Sequence, residues 1–146
     1  MVPAQVVVGS PAVSGLTFYA IGLLTMTKLL TVIETTTFLR DVKRSGLTED
    51  EHRSLIEFLA ANPMAGVVME GTGGVRKVRF AGQGAGKSGS YRVVYYFHDM
   101  EMPVFALALF AKNEKANLTM AERNELRAIM PRIVQEYREG IKHGRR

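Results

Sequence analysis

Ala81-Gly-Gln-Gly-Ala-Gly-Lys-Ser88, followed after Gly89 by Ser90-Tyr-Arg-Val-Val-Tyr-Tyr-Phe-His98, is the stretch on which the fold turns. Its first half satisfies a relaxed phosphate-loop pattern with Ala81 in the first glycine position, and Gly84-Ala-Gly-Lys-Ser-Gly89 satisfies GxGxxG. Either motif works only where its amides open a helix after a buried parallel strand, since the helix N-terminus supplies the dipole and the amide cradle. Here the next segment is β-branched and aromatic, which is strand composition. The glycines are therefore read as a hairpin loop that presents Lys87, and nucleotide binding is set aside.

Working outward, Val75 to Phe80 alternates as a strand before the loop, after a glycine bend at Gly71, Gly73 and Gly74. Val104 to Lys112 is a third strand, and the short polar link from His98 to Pro103 makes it an antiparallel neighbour of the second. Farther upstream, the apolar run after Lys28 suits a buried strand, and Thr35 to Arg44 reads as a short helix. Thr48 and Glu51 form a capping box, and Leu55, Ile56 and Leu59 follow at helical spacing until Asn62-Pro63. His52 falls on that apolar stripe and is read as a half-buried core histidine. Thr119 and Glu122 cap a last helix whose inward face is Leu126, Ile129, Met130, Ile133, Val134 and Tyr137, and Pro131 is expected to bend it. The order predicts an α+β domain: an N-terminal helical hairpin, an antiparallel-dominated sheet of about four strands and a C-terminal helix.

The 146 residues suffice for one domain with a real core. No charged side chain precedes Lys28, and the apolar run Leu16 to Leu24 lacks the basic flank of a secretory signal. That run is also far short of the roughly 20 residues a membrane helix needs. Residues 1–25 are thus read as a leader or an extension, with an extra strand or docked arm as the other reading, 26–140 as the domain and 141–146 as a basic tail. Without cysteine there are no disulfides or thiolate metal sites, and no HExxH or clustered His-carboxylate pattern suggests a metal. A cytoplasmic protein with no metal, no cofactor and no membrane attachment is expected.

The 19 Lys and Arg against 14 Asp and Glu give a formal charge of +5, which favours an anionic partner. Five of the cations, Arg76, Lys77, Arg79, Lys87 and Arg92, fall between Glu70 and Asp99 with no acidic residue among them. In a strand of period two, Lys77 and Arg79 share a face and Val78 and Phe80 take the other. So dense a run of cations with no acidic residue among them disfavours the free fold by self-repulsion, and a polyanion such as RNA relieves it.

Gly89-Ser-Tyr-Arg-Val-Val-Tyr-Tyr96, the strand Val-Phe-Ala-Leu-Ala-Leu-Phe110, the run Ala111-Lys-Asn-Glu-Lys115 and the helix start Asn117-Leu-Thr119 resemble the RelE/HigB superfamily of toxins. The nearest likeness is to its HigB-type ribosome-dependent messenger-RNA interferases, and it covers roughly Met26 to Tyr137. The resemblance implies a compact RelE-like fold and the toxin of a type II toxin-antitoxin system. It implies an endoribonuclease that cuts messenger RNA on the ribosome by attack of the 2′-hydroxyl on the neighbouring phosphate, with no metal or cofactor. The partners implied are a cognate antitoxin, the ribosome and messenger RNA. A ParE-like toxin of the same fold, acting on a protein such as DNA gyrase without RNA cleavage, is the alternative.

Carried over on these motifs, the catalytic residues are Lys77, Arg79, Arg92 and Lys112; the basic run, the loop and the polar segment after the last strand add Arg76, Lys87, Tyr91 and Lys115 as RNA-binding residues. Arg92 is expected to hold phosphate and transition-state charge, and Lys77 or Arg79 to move a proton or support its transfer. A lysine titrates at about 10.4 in water, and neighbouring cations lower that value toward neutrality. Tyr91, Tyr95 and Tyr96 are able to stack a base, although strand packing is the simpler role for each. His98 at the hairpin end is read as a solvent residue rather than an acid. The chain departs from the RelE pattern at Asn113 and Thr119, where that pattern has an arginine and a tyrosine.

Overall fold

The computed structural model describes residues 4–8, 29–81, 90–111 and 118–144. In chain order the elements are β1 (Ala4–Val8), β2 (Thr31–Thr35), α1 (Thr36–Ser45), α2 (Glu49–Ala61), β3 (Val67–Val68), β4 (Val75–Ala81), β5 (Ser90–Tyr96), β6 (Val104–Ala111) and α3 (Met120–Gly144). One sheet holds all the strands in the order β1-β2-β6-β5-β4-β3. Every pairing is antiparallel except β2 with β6, where Val32 to Glu34 run parallel to Val104 to Ala106. The architecture is the α+β arrangement that the element order predicts. Among the described residues no helix is long and apolar enough to cross a membrane.

The sheet has six strands rather than about four. β3 is two residues long and exposed, so it carries no burial pattern that a sequence could display. β1 lies inside the stretch read as a leader or an extra strand, and it pairs in register with β2 from Ala4↔Thr35 to Val8↔Thr31.

Local signals account for the helix limits. Thr35 caps α1, its side chain accepting from the Phe38 amide, and Gly46 ends it in the left-handed conformation at φ 87°. The Thr48 capping box forms as expected: Glu51 N–H donates to Thr48 Oγ1 at 3.1 Å and Thr48 N–H to Glu51 Oε1 at 2.9 Å. A second box opens α3, with Thr119 N–H donating to Glu122 Oε1 at 2.8 Å and Glu122 N–H to Thr119 Oγ1 at 3.1 Å. α3 continues through Pro131, whose ring is exposed.

The helices cover opposite faces of the sheet. α1 and α2 bury Phe38, Val42, Leu55, Ile56 and Leu59 against Val32, Val93, Tyr95, Val104, Ala106 and Leu109. On the other face, Met130 and Val134 of α3 pack with Val75, Val94, Tyr96, Phe105, Leu107 and Phe110. Truncating a fully buried aromatic such as Phe38 to alanine costs about 3 to 5 kcal/mol.

Among the residues whose burial is described, the apolar residues of both clusters begin at Leu30. A protein begun at Met26 is therefore expected to unfold cooperatively on heating, at a temperature a few degrees lower because β2 loses its β1 partner. Absence of a cooperative transition would show that the N-terminal strand is needed to complete the fold.

Candidate functional site

Cross-strand register gathers the cations that alternation alone could not. Arg79 stands directly opposite Arg92, and Lys77 opposite Val94. Because Val94 and Tyr96 pack toward α3, so do Arg92 and its cross-strand neighbours Lys77 and Arg79. On β6, Phe110 is the residue opposite Arg92. The result is a cationic end to the α3 face of the sheet, near the Ala81 end of β4 and the Ser90 end of β5.

Directly opposed side chains in an antiparallel pair have Cβ atoms about 4.5 to 5.5 Å apart, and like charges in that position are destabilising. Arg79 turns its Nε to Ser90 Oγ at 3.1 Å. Arg92 is half-buried, and its Nη1 is shielded from solvent with no hydrogen-bond partner among the described residues. Among the described residues neither arginine has a carboxylate within ion-pair distance. A buried donor left unsatisfied costs about 1 to 3 kcal/mol, more when charged. An anion with two oxygens to share between adjacent guanidinium groups would remove both penalties at once.

Other residues expected at the site lie elsewhere. Arg76 is on the hairpin side of β4 and donates from Nη1 to the carbonyls of Gly66 at 2.7 Å and Met64 at 3.3 Å, so it braces the segment after α2. Tyr91 also faces the hairpin, where its ring packs on that core and its hydroxyl lies 3.5 Å from the Ser45 carbonyl. Tyr95 is fully buried; its hydroxyl donates to Pro63 O and accepts from Gly66 N–H, both at 2.8 Å. A Cβ on Gly66 would sit 2.8 Å from that hydroxyl, so only glycine permits the approach. Tyr96 is in the α3 core with its hydroxyl 3.1 Å from His98 Nδ1.

His98 is exposed, 3.6 Å from Asp99, at the far end of the sheet. It is six residues from Arg92, about 20 Å along an extended chain. His52 is half-buried as expected, and its Nε2 lies 2.6 Å from Oε1 of Glu34, a carboxylate only 1% exposed. Lys87, Lys112 and Lys115 lie outside the described residues. A groove of about 510 Å³ between α3 and Thr35–Thr37 is lined by Leu107, Leu126, Ile129 and Ile133 and includes none of the strand cations. Ser90, which accepts from Arg79, and Phe110, opposite Arg92, did not stand out in the sequence.

Residues 30–143 match the family described as the RelE toxin of the RelE / RelB toxin-antitoxin system. The chain belongs to the RelE toxin family. The match runs from the start of the first buried apolar cluster through nearly all of α3, and so includes both helical layers and the cationic face. Membership implies a cognate antitoxin as partner. In this RelE toxin the position at the opening of the last helix is Thr119, whose hydroxyl is committed to capping that helix.

The tyrosines give a test that separates stability from the cationic face. Burial raises the Tyr95 pKa above 10.0, opposed by the Gly66 amide and by Arg76. Tyr96 is raised too, by burial and by Asp99. Each contributes stability that is complete below the unfolded value of 10.0 and is lost as pH rises through the higher folded value. Melting temperature is therefore expected to hold below pH 9 or so and to fall above about pH 10. Tyr95→Phe is expected to lower stability by about 1 to 3 kcal/mol at neutral pH, because it strands two buried backbone groups, and to blunt the alkaline fall. A melting profile unchanged by Tyr95→Phe across that range would refute the assignment.

Proposed function

We propose that this RelE toxin is a HigB-type, ribosome-dependent endoribonuclease that cleaves messenger RNA and arrests translation in the cytoplasm. The observation that carries the reading is the pair Arg79 and Arg92, opposed across two strands with one guanidinium nitrogen buried and unsatisfied. The motif resemblance and the family match supply the chemistry that such a face would serve.

In that chemistry the ribose 2′-oxygen attacks the adjacent phosphorus, forming a 2′,3′-cyclic phosphate as the bond to the 5′-oxygen breaks. One proton leaves the 2′-hydroxyl and one reaches the departing 5′-oxygen. The phosphorane carries extra negative charge, and preorganised cations stabilise it more than they stabilise the substrate. Arg92 is assigned to the non-bridging phosphate oxygens, with Arg79 beside it. Lys77, on the same face two residues before Arg79, is assigned with Arg79 to proton transfer or its electrostatic support. Lys112 completes the set on the family pattern, with Lys87 and Lys115 contributing to RNA binding. No step requires a metal or cofactor. A cognate antitoxin neutralises the protein by covering this face with an acidic or extended segment.

The direct test is to add the protein to a cell-free translation reaction and map messenger ends. New ends bearing a 5′-hydroxyl are expected on translated messages and not on naked RNA; a message left intact at inhibitory concentrations would reject the ribonuclease reading.

Arg92→Ala is expected to lower cleavage per folded molecule roughly 100- to 1000-fold, the loss typical of removing a preorganised charge worth about 2.7 to 4 kcal/mol in the transition state. Ribosome binding should change much less, because it is shared among many cations. The melting temperature is expected to stay level or rise, since the substitution removes an unsatisfied nitrogen and a like-charge neighbour. Parental turnover from a normally folded Arg92→Ala protein would show that the arginine is no part of the site.

A further inference from the structure

On the reading of the cationic face as the cleavage site, we propose that Asp41 is a positioning residue that fixes the register of β6 and thereby what stands opposite Arg92. β5 and β6 do not pair with one register. Tyr96↔Phe105 and Tyr95↔Ala106 follow one alignment, and Val94↔Ala108, Val93↔Leu109, Arg92↔Phe110 and Tyr91↔Ala111 follow another. Leu107 is the extra residue, a bulge in β6. Since side chains alternate, one extra residue exchanges the faces of everything beyond it. In the first alignment carried straight on, Leu109 would oppose Arg92, and Phe110 would turn to the hairpin face. The bulge instead sends Leu109 into the hairpin core and places Phe110 beside Arg92.

The fold holds this slip in place from α1. β2 pairs with β6 only as far as Glu34↔Ala106, and the chain then leaves the sheet to begin α1. The edge of β6 beyond that point is closed by side chains. Thr35 Oγ1 donates to Ala106 O at 3.0 Å, with Leu107 O at 3.4 Å, and Asp41 Oδ2 accepts from Leu109 N–H at 3.0 Å. Asp41 is 8% exposed, and its other oxygen is held by Arg44 Nη2 at 3.1 Å. A carboxylate buried at that cost has one backbone partner, the amide two residues past the bulge. Shifting β6 back by one residue would move that amide out of its reach.

The test compares Asp41→Asn and Asp41→Ala in the full chain, using kcat and KM on translating ribosomes and the NMR contact between Arg92 and Phe110. Asparagine keeps an oxygen acceptor and is expected to retain the contact, the slow exchange of the Leu109 amide and a kcat within a few-fold of parental. Alanine is expected to lose the contact and the amide protection. Its kcat should fall by roughly 100-fold, the scale set by a misplacement of about 1 Å, with KM little changed. A folded Asp41→Ala protein that keeps the Arg92–Phe110 contact, or cuts at the parental rate, overturns the proposal. Should Asp41→Ala fail to fold, Asp41→Glu decides: it keeps the charge but moves the oxygen by one methylene, and a parental kcat from it is equally fatal. If the parental protein cuts no message, the ribonuclease reading fails by itself, while the contact and the Leu109 amide still report whether Asp41 sets the register.

Discussion

β5 and β6 lie side by side in the middle of the sheet, and each is covered on both faces over most of its length. Val93 and Tyr95 reach one helical layer, Val94 and Tyr96 the other, and β6 repeats the pattern with Leu109 against Phe110. A strand buried on two sides exchanges one apolar set for another when it slips, so its register is held by the shapes it packs against and by its polar partners rather than by hydrophobicity. The other elements take their places from this pair: α1 and α2 on one face, α3 on the other, β4 and β2 at the flanks. Burial fades toward Ser90, Tyr91 and Arg92. The strand that organises the core therefore ends at the cationic face, and core packing supplies the rigidity that the proposed site requires.

That rigidity is what permits like charges to remain opposed. In a mobile loop, Arg79 and Arg92 would move apart and each would find water. Strands in fixed register keep both β-carbons adjacent, and the shielded Arg92 nitrogen stays unsatisfied. The local cost is a few kcal/mol at most and is offset by two apolar clusters. The cationic face is thus built at the expense of local stability, which is what the proposed cleavage site calls for, since a preformed charge pattern then awaits its ligand.

How much of this was legible depends on how local each signal is. The two capping boxes are written within four residues each and form where the spacing of Thr48 with Glu51 and Thr119 with Glu122 places them. Alternation in β4 likewise put Lys77 and Arg79 on one face. The same rule, applied to its end, separates Arg76 from Lys77 and Tyr91 from Arg92; grouping residues by charge density and aromatic character overlooked parity that was present in the sequence. Arg79 opposite Arg92 was out of reach, because it depends on the register of two strands across the glycine loop. The bulge in β6 was equally hidden. Val104-Phe-Ala-Leu-Ala-Leu-Phe-Ala111 is apolar at every position, so a slip of one residue leaves no trace in its pattern.

Polar atoms do what an apolar strand cannot. β6 would accept either register on hydrophobic grounds alone, since its residues differ in size more than in kind. Where β2 leaves the sheet, Glu34, Thr35 and Asp41 are all buried, and each has a specific partner: His52 on α2, the carbonyls of Ala106 and Leu107, and the Leu109 amide. Hydrogen bonds between buried groups contribute little net stability when made but cost much when broken. They therefore discriminate between alternatives of similar apolar burial more effectively than they raise overall stability. Thr35 shows the economy of the arrangement, because its one hydroxyl caps α1 through the Phe38 amide and closes the edge of β6. The residue that ends the strand and starts the helix is thus also the first to hold β6, and Asp41, two turns into the same helix, is the second.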